Sequence, residues 1–492
     1  MQEFEIIAKT FHGLEEVLAQ EITELGANNI EIGHRMVRFS GDKEVLYRAN
    51  FCLRTAVRIL KPIKRFEAHN PDEVYAALAD FPWESILSLE QTFAVNSVIN
   101  SSEFNHTKFV AYKVKDAIVD YFREKYGKRP NISVTNPQIR LDIHITGTDC
   151  TLCLDSSGES LHIRGYRSAT VEAPINEVLA AGMIKLSGWK ADTDFIDPFC
   201  GSGTIAIEAA LIARNIYPGL FRAHYAFENW PDFDKDLLQR IYDDDSAERS
   251  FDHHIYAYDI NIPALKAAEE NAHNAGVAEL ITFKQQDIRA FTQPANKSIM
   301  ITNPPYGERL HEGDTLGLYN ALGERLKKQF KGNEAWIICS RKELFDNLGL
   351  RPSVKIELNN GSLPCELRRY QLFDGKLENF RDKGGLLKSE EDYRRNAKKR
   401  RSQEARADFF RTFRDESNEP IDEAEELESL RNVHRQFEKR FGQKYHSREK
   451  SEDSRHNDFR RSTRTDMKRS DYKSGERSGK PFKKTGRFSK SR

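Results

Sequence analysis

The sequence predicts an α/β protein: a doubly wound parallel sheet, a smaller α+β region ahead of it, and a charged tail behind. Three observations carry that expectation. Between residues 170 and 375 strand-like and helix-like segments alternate, as parallel βαβ units require. Residues 1–165 show short strands interleaved with helices that have one apolar face. From about 380 apolar residues thin out and Arg, Lys, Glu, Asp and Ser dominate, so no packed core is expected there. A chain of 492 residues has room for roughly three domains.

Within 1–60, FEIIAKT and MVRFSG read as strands. Leu14, Val17, Leu18, Ile22 and Leu25 fall on one helical face between them. EVLYRANFCLRTAVRILKPI then supplies a helix and a further strand. In 65–165, TFAVNSVI is a strand followed by a polar loop, SSEFNHTKF. A helix comes next, with Val110, Val114, Ala117, Ile118, Tyr121 and Phe122 on its buried side. IRLDIHITG and CTLCLDSSG alternate as in a half-exposed antiparallel sheet. Lys108, Lys113, Lys115, Arg123, Lys125, Lys128, Arg129, Arg164 and Arg167 line these segments, as either a solvated face or a phosphate-contacting surface. Beyond 170 the order is DFIDPF, TIAIEAALIARN, HIYAYDI, ALKAAEENAHNAG, LITFKQQDI, SIMITNPP, LYNALGERLKKQF and AWIICS. Asn360-Gly361 then marks a hairpin. An exposed helix is expected over 421–441, and disorder from 445 onward.

The neutral total of 76 basic and 76 acidic residues hides an asymmetry. Residues 451–492 carry 14 basic and 6 acidic side chains, leaving 62 and 70 in the body. A basic tail on a mildly acidic body suits a nucleic-acid arm. The six scattered cysteines suit a reducing compartment. Cys150 and Cys153 read as two residues of one strand, because a zinc site needs more ligands nearby, and no metal is expected. The N-terminal MQEFEII has acids where a signal peptide needs positive charge. No apolar run approaches the ~20 residues of a membrane span. A cytoplasmic protein without membrane association is expected.

Chemistry concentrates at strand ends. In DFIDPFCGSGTIAIEAA a strand ends at Asp197, Gly201 and Gly203 allow a ligand to approach the backbone, and a helix begins near Thr204. Asp259 ends the next strand, where an acid accepts from ribose hydroxyls. The 56 residues from Gly203 to Asp259 far exceed the ~20 of a nicotinamide-binding unit, so an insertion at about 216–250 must loop out. Asp287 ends a third strand and suits an adenine amine. Three such acids would line one crevice at the carboxyl edge of the sheet. Asn303-Pro304-Pro305-Tyr306 completes the pattern. The Asn303 amide oxygen and the Pro304 carbonyl can each accept one proton of a planar exocyclic NH2. The prolines stiffen the loop, and Tyr306 offers a stacking face for an extruded base.

DPFCGSGT, Asp259, Asp287 and NPPYGERL together resemble the class I S-adenosylmethionine-dependent methyltransferases acting on exocyclic amines. LRTAVRIL, HTKFVAYKVKDAIVDYF, LDSSGESLHIRGYR and APINEVLAA narrow the likeness to THUMP-domain RNA methyltransferases, above all the bacterial large-subunit (23S) rRNA guanine-N2 enzymes. The resemblance implies a ferredoxin-like domain at 1–64, an RNA-binding THUMP domain at 65–165 and a Rossmann-like catalytic domain at 166–380. It does not cover the tail, 381–492. It places S-adenosylmethionine at Asp197, Gly201, Gly203, Thr204, Asp259 and Asp287, and the target amine at Asn303, Pro304, Pro305 and Tyr306. The implied partner is 23S rRNA or an assembling large ribosomal subunit. A second methyltransferase domain, carried by some relatives, is not expected. Guanine-N2 methylation of tRNA, adenine-N6 methylation of RNA, and a non-enzymatic assembly factor remain as alternatives.

Overall fold

The computed structural model describes residues 2–104, 107–169, 174–295, 297–306 and 312–373, without side chains at 312 and 313. The charged segment 381–492, with the helix expected over 421–441, lies outside the described residues, as does Gly307–Leu310 of the NPPYGERL stretch.

The first half builds one eight-stranded sheet. Its elements run β1 (Phe4–Lys9), α1 (Glu15–Glu24), β2 (Asn28–Gly33), β3 (Met36–Gly41), α2 (Lys43–Cys52), β4 (Arg58–Glu67), α3 (Pro71–Ala79), β5 (Thr92–Asn100), α4 (Thr107–Tyr126), β6 (Asn131–Ile132), β7 (Ile139–Thr146) and β8 (Asp149–Asp155). Spatial order is β2-β3-β1-β4-β8-β7-β5-β6. The ten-residue β4 joins the two parts. Its start pairs with β1, Arg58 opposite Lys9, and the strand then pairs along β8 as far as Glu67 opposite Asp149. The division expected at 64/65 therefore falls inside a strand. Asp42 caps α2 by accepting from Val45 N–H, and Asn70 caps α3 by accepting from Asp72 and Glu73.

Three local features differ from the sequence-based expectation. Strand β2 and helix α3 are additions: β2 is almost wholly exposed and α3 buries only Val74 and Leu78, so neither has a strong apolar period. Strand β7 is antiparallel to β8 but parallel to β5, because α4 makes a crossover between β5 and β7. The alternation itself holds on β7: Ile139, Leu141, Ile143 and Ile145 are buried on one face, while on the other Arg140 and His144 are half-buried, Thr146 is exposed and only Asp142 is buried.

The second half runs α5 (Glu177–Ser187), β9 (Asp194–Asp197), α6 (Thr204–Arg214), α7 (Lys235–Tyr242), β10 (Ile255–Asp259), α8 (Ile262–Asn274), β11 (Ile281–Gln285), β12 (Ser298–Thr302), α9 (Glu312–Gln329), β13 (Glu334–Cys339), α10 (Lys342–Asp346), β14 (Val354–Asn360) and β15 (Leu363–Gln371). Sheet order is β11-β10-β9-β12-β13-β15-β14, with the first five strands parallel and the expected β14–β15 hairpin antiparallel. The chain adds β10 and β11 on one side of β9, then returns to lay β12 on the other. The topological switch point, where such sheets bind ligands, thus lies between β9 and β12.

The insertion at 216–250 does not loop out. It forms two 3-10 turns, Pro218–Phe221 and Ala226–Asn229, and then α7, and packs on the first half. Tyr225, Phe227, Trp230, Leu237, Leu238 and Ile241 join the core of the N-terminal sheet. The Phe227 ring stacks on Tyr47 with centroids 4.1 Å apart. Arg48 pairs with Asp244, and Arg54 donates to the Ile216 carbonyl at 2.8 Å. In exchange Leu14, from the turn before α1, is buried in the core of the second half against Gly182 of α5. Among the described residues no helix is long and apolar enough to cross a membrane.

Candidate active site

The loop from β9 to α6 is built around two left-handed glycines. Gly201 has φ 53° and Gly203, the residue before α6, has φ 84°. A Cβ on Gly203 would also meet Ala268 Cβ of α8 at 3.0 Å. The loop is tied to the next strand: Asp259 Oδ2 accepts from Gly201 N–H at 2.9 Å, and its Oδ1 from Asn261 N–H at 2.9 Å. Asp259 therefore stands at the sheet edge with its carboxylate partly used to shape the glycine loop. Each oxygen keeps a further lone pair. Ile260 and Ile262 flank it, both exposed, and add apolar surface that the sequence reading did not pick out.

The other acids have different surroundings. Asp197 is the last residue of β9 but is fully buried. It accepts from the Thr302 hydroxyl at 2.6 Å and from Phe199 N–H at 3.2 Å. Burial raises its pKa to about 7, an effect that the Thr302 and Phe199 hydrogen bonds oppose. It bridges β9 and β12 beneath the switch point instead of facing the open crevice. Asp287 is not a strand end. Strand β11 stops at Gln285, and Asp287 caps a short 3-10 turn, accepting from Arg289 N–H at 2.8 Å and pairing with its guanidinium at 3.0 Å. Thr204 is buried, and its hydroxyl accepts from Arg167 at 2.8 Å.

Arg167 does more than that. Its guanidinium also reaches Ser202 Oγ at 3.1 Å and Glu177 at 2.8 Å, clasping the glycine loop to α5. Arg164 is buried in an ion pair with Glu208 at 3.3 Å. The sequence places both arginines on either a solvated face or a phosphate-contacting surface, and the structure turns both inward. Charge alone carries no sign of direction, and the partners that turn both side chains inward, Glu208 for Arg164 and Glu177 and Thr204 for Arg167, are brought together only by the fold.

At the end of β12, Asn303 Oδ1 is shielded from solvent and has no hydrogen-bond partner among the described residues. Pro304 is buried and Pro305 exposed. The Tyr306 hydroxyl accepts from Asn360 Nδ2 at 3.1 Å and lies 3.9 Å from Cys365 Sγ, so the β14–β15 hairpin holds the ring in place. Burial raises the Tyr306 pKa and keeps the phenol neutral. Gln286 Nε2 is a second shielded polar atom without a partner among the described residues. A glycine loop partly exposed at Gly201, a carboxylate with spare acceptors, exposed isoleucines and amide atoms without partners among the described residues suit a ligand with a ribose, an apolar base and polar edges.

Three stretches match known families: residues 5–60 the RlmL ferredoxin-like domain, 68–155 the THUMP domain, and 164–369 the RMKL-like methyltransferase domain. A candidate RNA methyltransferase of Synechocystis sp. is 37% identical over 369 residues, which is 74% of this chain and 96% of that one. The chain belongs to the THUMP-domain, S-adenosylmethionine-dependent RNA methyltransferases. It is also similar to the ribosomal RNA large subunit methyltransferase K/L of Shewanella frigidimarina, at 39% identity over 75% of this chain and 53% of the relative. The chain thus spans about half the length of its K/L relatives. Among solved structures, SMU.472, a methyltransferase candidate complexed with SAH, superposes with a TM-score of 0.68 at 30% identity, covering 76% of this chain and all of that one. At the switch point, where such sheets bind ligands, the spare acceptor capacity of Asp259 and the exposed Ile260 and Ile262 are chemically compatible with the nucleoside of S-adenosylmethionine.

Proposed function

We propose that the chain methylates the exocyclic N2 of a guanine in large-subunit ribosomal RNA. The observation that carries this reading is the shielded Asn303 Oδ1 at the switch point, without a hydrogen-bond partner among the described residues and one strand from the glycine loop. Bound S-adenosylmethionine supplies the electrophilic methyl group. The chain's own residues do the rest. Asn303 Oδ1 accepts one N–H of the guanine amine and the Pro304 carbonyl accepts the other, which fixes the nitrogen lone pair in one direction. Tyr306, held through its hydroxyl by Asn360, presents a ring face to the extruded base. Asp259 accepts from the ribose of the cofactor, Gly201, Gly203 and Thr204 offer backbone, Asp287 takes the adenine edge, and Asp197 supports the strands from below.

In this reading residues 1–64 and 65–165 serve RNA binding, 166–380 the chemistry, and 381–492 phosphate affinity. The K/L relatives' names supply the large-subunit rRNA, and the THUMP match supplies the RNA-binding half. On α4, Phe109 and Tyr112 are exposed beside Lys113 and Lys115, a surface on which bases can stack.

The test is transfer from tritiated S-adenosylmethionine to total RNA of a strain lacking this gene, followed by size fractionation and nucleoside analysis. Label in large rRNA eluting as N2-methylguanosine is expected. Label in tRNA would overturn the substrate, label in N6-methyladenosine the base, and absence of label in RNA the enzymatic reading itself.

A further inference from the structure

Two histidines and a glutamate converge away from the crevice. His12 lies on the turn between β1 and α1, Glu15 is the first residue of α1, and His34 sits at the tip of the β2–β3 hairpin. One ligating atom from each lies within 4.8 Å of the other two. His12 Nδ1 is 3.7 Å from Glu15 Oε1, beyond hydrogen-bond range. That nitrogen is shielded and without a hydrogen-bond partner among the described residues, although much of the ring is exposed.

These spacings have a simple reading. Two ligands held tetrahedrally at zinc distances of about 2.0–2.2 Å lie roughly 3.4 Å apart. His12 and Glu15 are already close to that separation. The carboxylate is oriented from behind: Oε2 accepts from Gly13 N–H at 2.7 Å and Oε1 from Arg35 N–H at 3.1 Å. Such hydrogen bonds fix a ligating carboxylate and leave each oxygen a lone pair for a metal. The His34 ring centroid is 6.0 Å from that of His12. It is exposed at a hairpin tip, so side-chain rotation can bring it in by the remaining ångström or so.

We propose that His12, Glu15 and His34 form a binding site for a divalent transition-metal ion of the zinc type, with a fourth position left to water. Two imidazoles and one carboxylate suit zinc and its neighbours, and not magnesium or calcium. The location gives the ion a structural role. Gly13, inside the site, packs so closely on β14 that an added Cβ would lie 2.4 Å from the Glu357 carbonyl oxygen. The next residue, Leu14, is the one buried in the core of the second half. A bound ion ties the β2–β3 hairpin to the turn by which the first half docks on the second.

The test is calorimetric titration of zinc chloride into the chelator-stripped full chain, with thermal unfolding alongside. His34→Ala is the main variant, because a side chain exposed at a hairpin tip can be removed without disturbing a core. His69→Ala, at the far end of β4 and also exposed, controls for adventitious imidazole binding. Wild type and His69→Ala are expected to bind one zinc more than His34→Ala and to unfold at higher temperature when zinc is present. Glu15→Gln should weaken that site at least tenfold. Equal stoichiometry and affinity in wild type and His34→Ala, or an equal thermal shift, would overturn the site.

Discussion

In the proposed reaction Asn303 holds the target amine and Asp259 the cofactor ribose, and substitution separates the two roles. Asn303→Ala should lower turnover on the order of 10²–10³-fold, by analogy with removal of one preorganised hydrogen-bonding group, while cofactor affinity stays within about twofold. An unchanged single-turnover rate would remove the amine clamp. Asp259→Ala should weaken S-adenosylmethionine or its demethylated product by about 1.5–3 kcal/mol, the scale of a hydrogen bond to a charged group, read by calorimetry. Asp197 makes a different prediction. Its carboxyl keeps a proton up to about pH 7 in the folded chain, against roughly 3.9 when unfolded. The folded state holds that proton more tightly, so the stabilisation it brings is complete below about pH 4 and lost as pH rises through 7. Asp197→Asn still accepts from Thr302 but does not titrate. Its urea-unfolding free energy, minus that of wild type, should therefore rise between pH 4 and 8, and a flat difference would contradict the buried, protonated carboxyl.

Among the elements, the strap from 216 to 250 decides most. Phe227→Ala removes a fully buried ring stacked on Tyr47 and should cost about 3–5 kcal/mol in denaturant unfolding. A loss under about 1 kcal/mol would mean that the strap is not part of the core. The sequence showed that an insertion exists, because the gap from Gly203 to Asp259 is too long for one crossover. It could not show the destination, since Tyr225, Phe227 and Trp230 lie in short turns with no period to read. The strands and helices of the second half were legible because buried parallel strands leave apolar runs, and their amphipathic helices leave a 3.6 period. Edge strand β2, with its exposed residues, left neither. At the site, Asn303 and the glycines were visible as motif residues. Thr302, Asn360 and the inward turn of Arg167 were not, because each acts through a partner more than 30 positions away.

For the molecule as a whole, electrostatics is less one-sided than the count of cations suggested. On α4, Lys113 pairs with Asp72, Lys115 with Asp116, Arg123 with Asp120 and Lys125 with Glu84. The described RNA-facing candidate surface is thus partly neutralised, which shifts weight to residues 451–492 with their excess of eight positive charges. Removing that tail should flatten the dependence of log Kd for RNA on log salt, by roughly 0.7–0.9 for each phosphate that the tail neutralises, while leaving the methyl-transfer product unchanged. A slope equal to that of the full chain would assign affinity to the body.

The exchange of side chains between the halves also bears on how the polypeptide is made. A ribosome delivers the eighth strand of the first sheet by Asp155, yet the aromatic residues that close its core are not synthesised until 225–242. At elongation rates of about 5–20 residues per second that interval is on the order of ten seconds. Throughout it, Tyr47 and Phe51 lack their final cover while Leu14 waits for a pocket that does not yet exist. Nascent chains paused in that window should therefore be the ones that chaperones capture and that dyes for apolar surface stain.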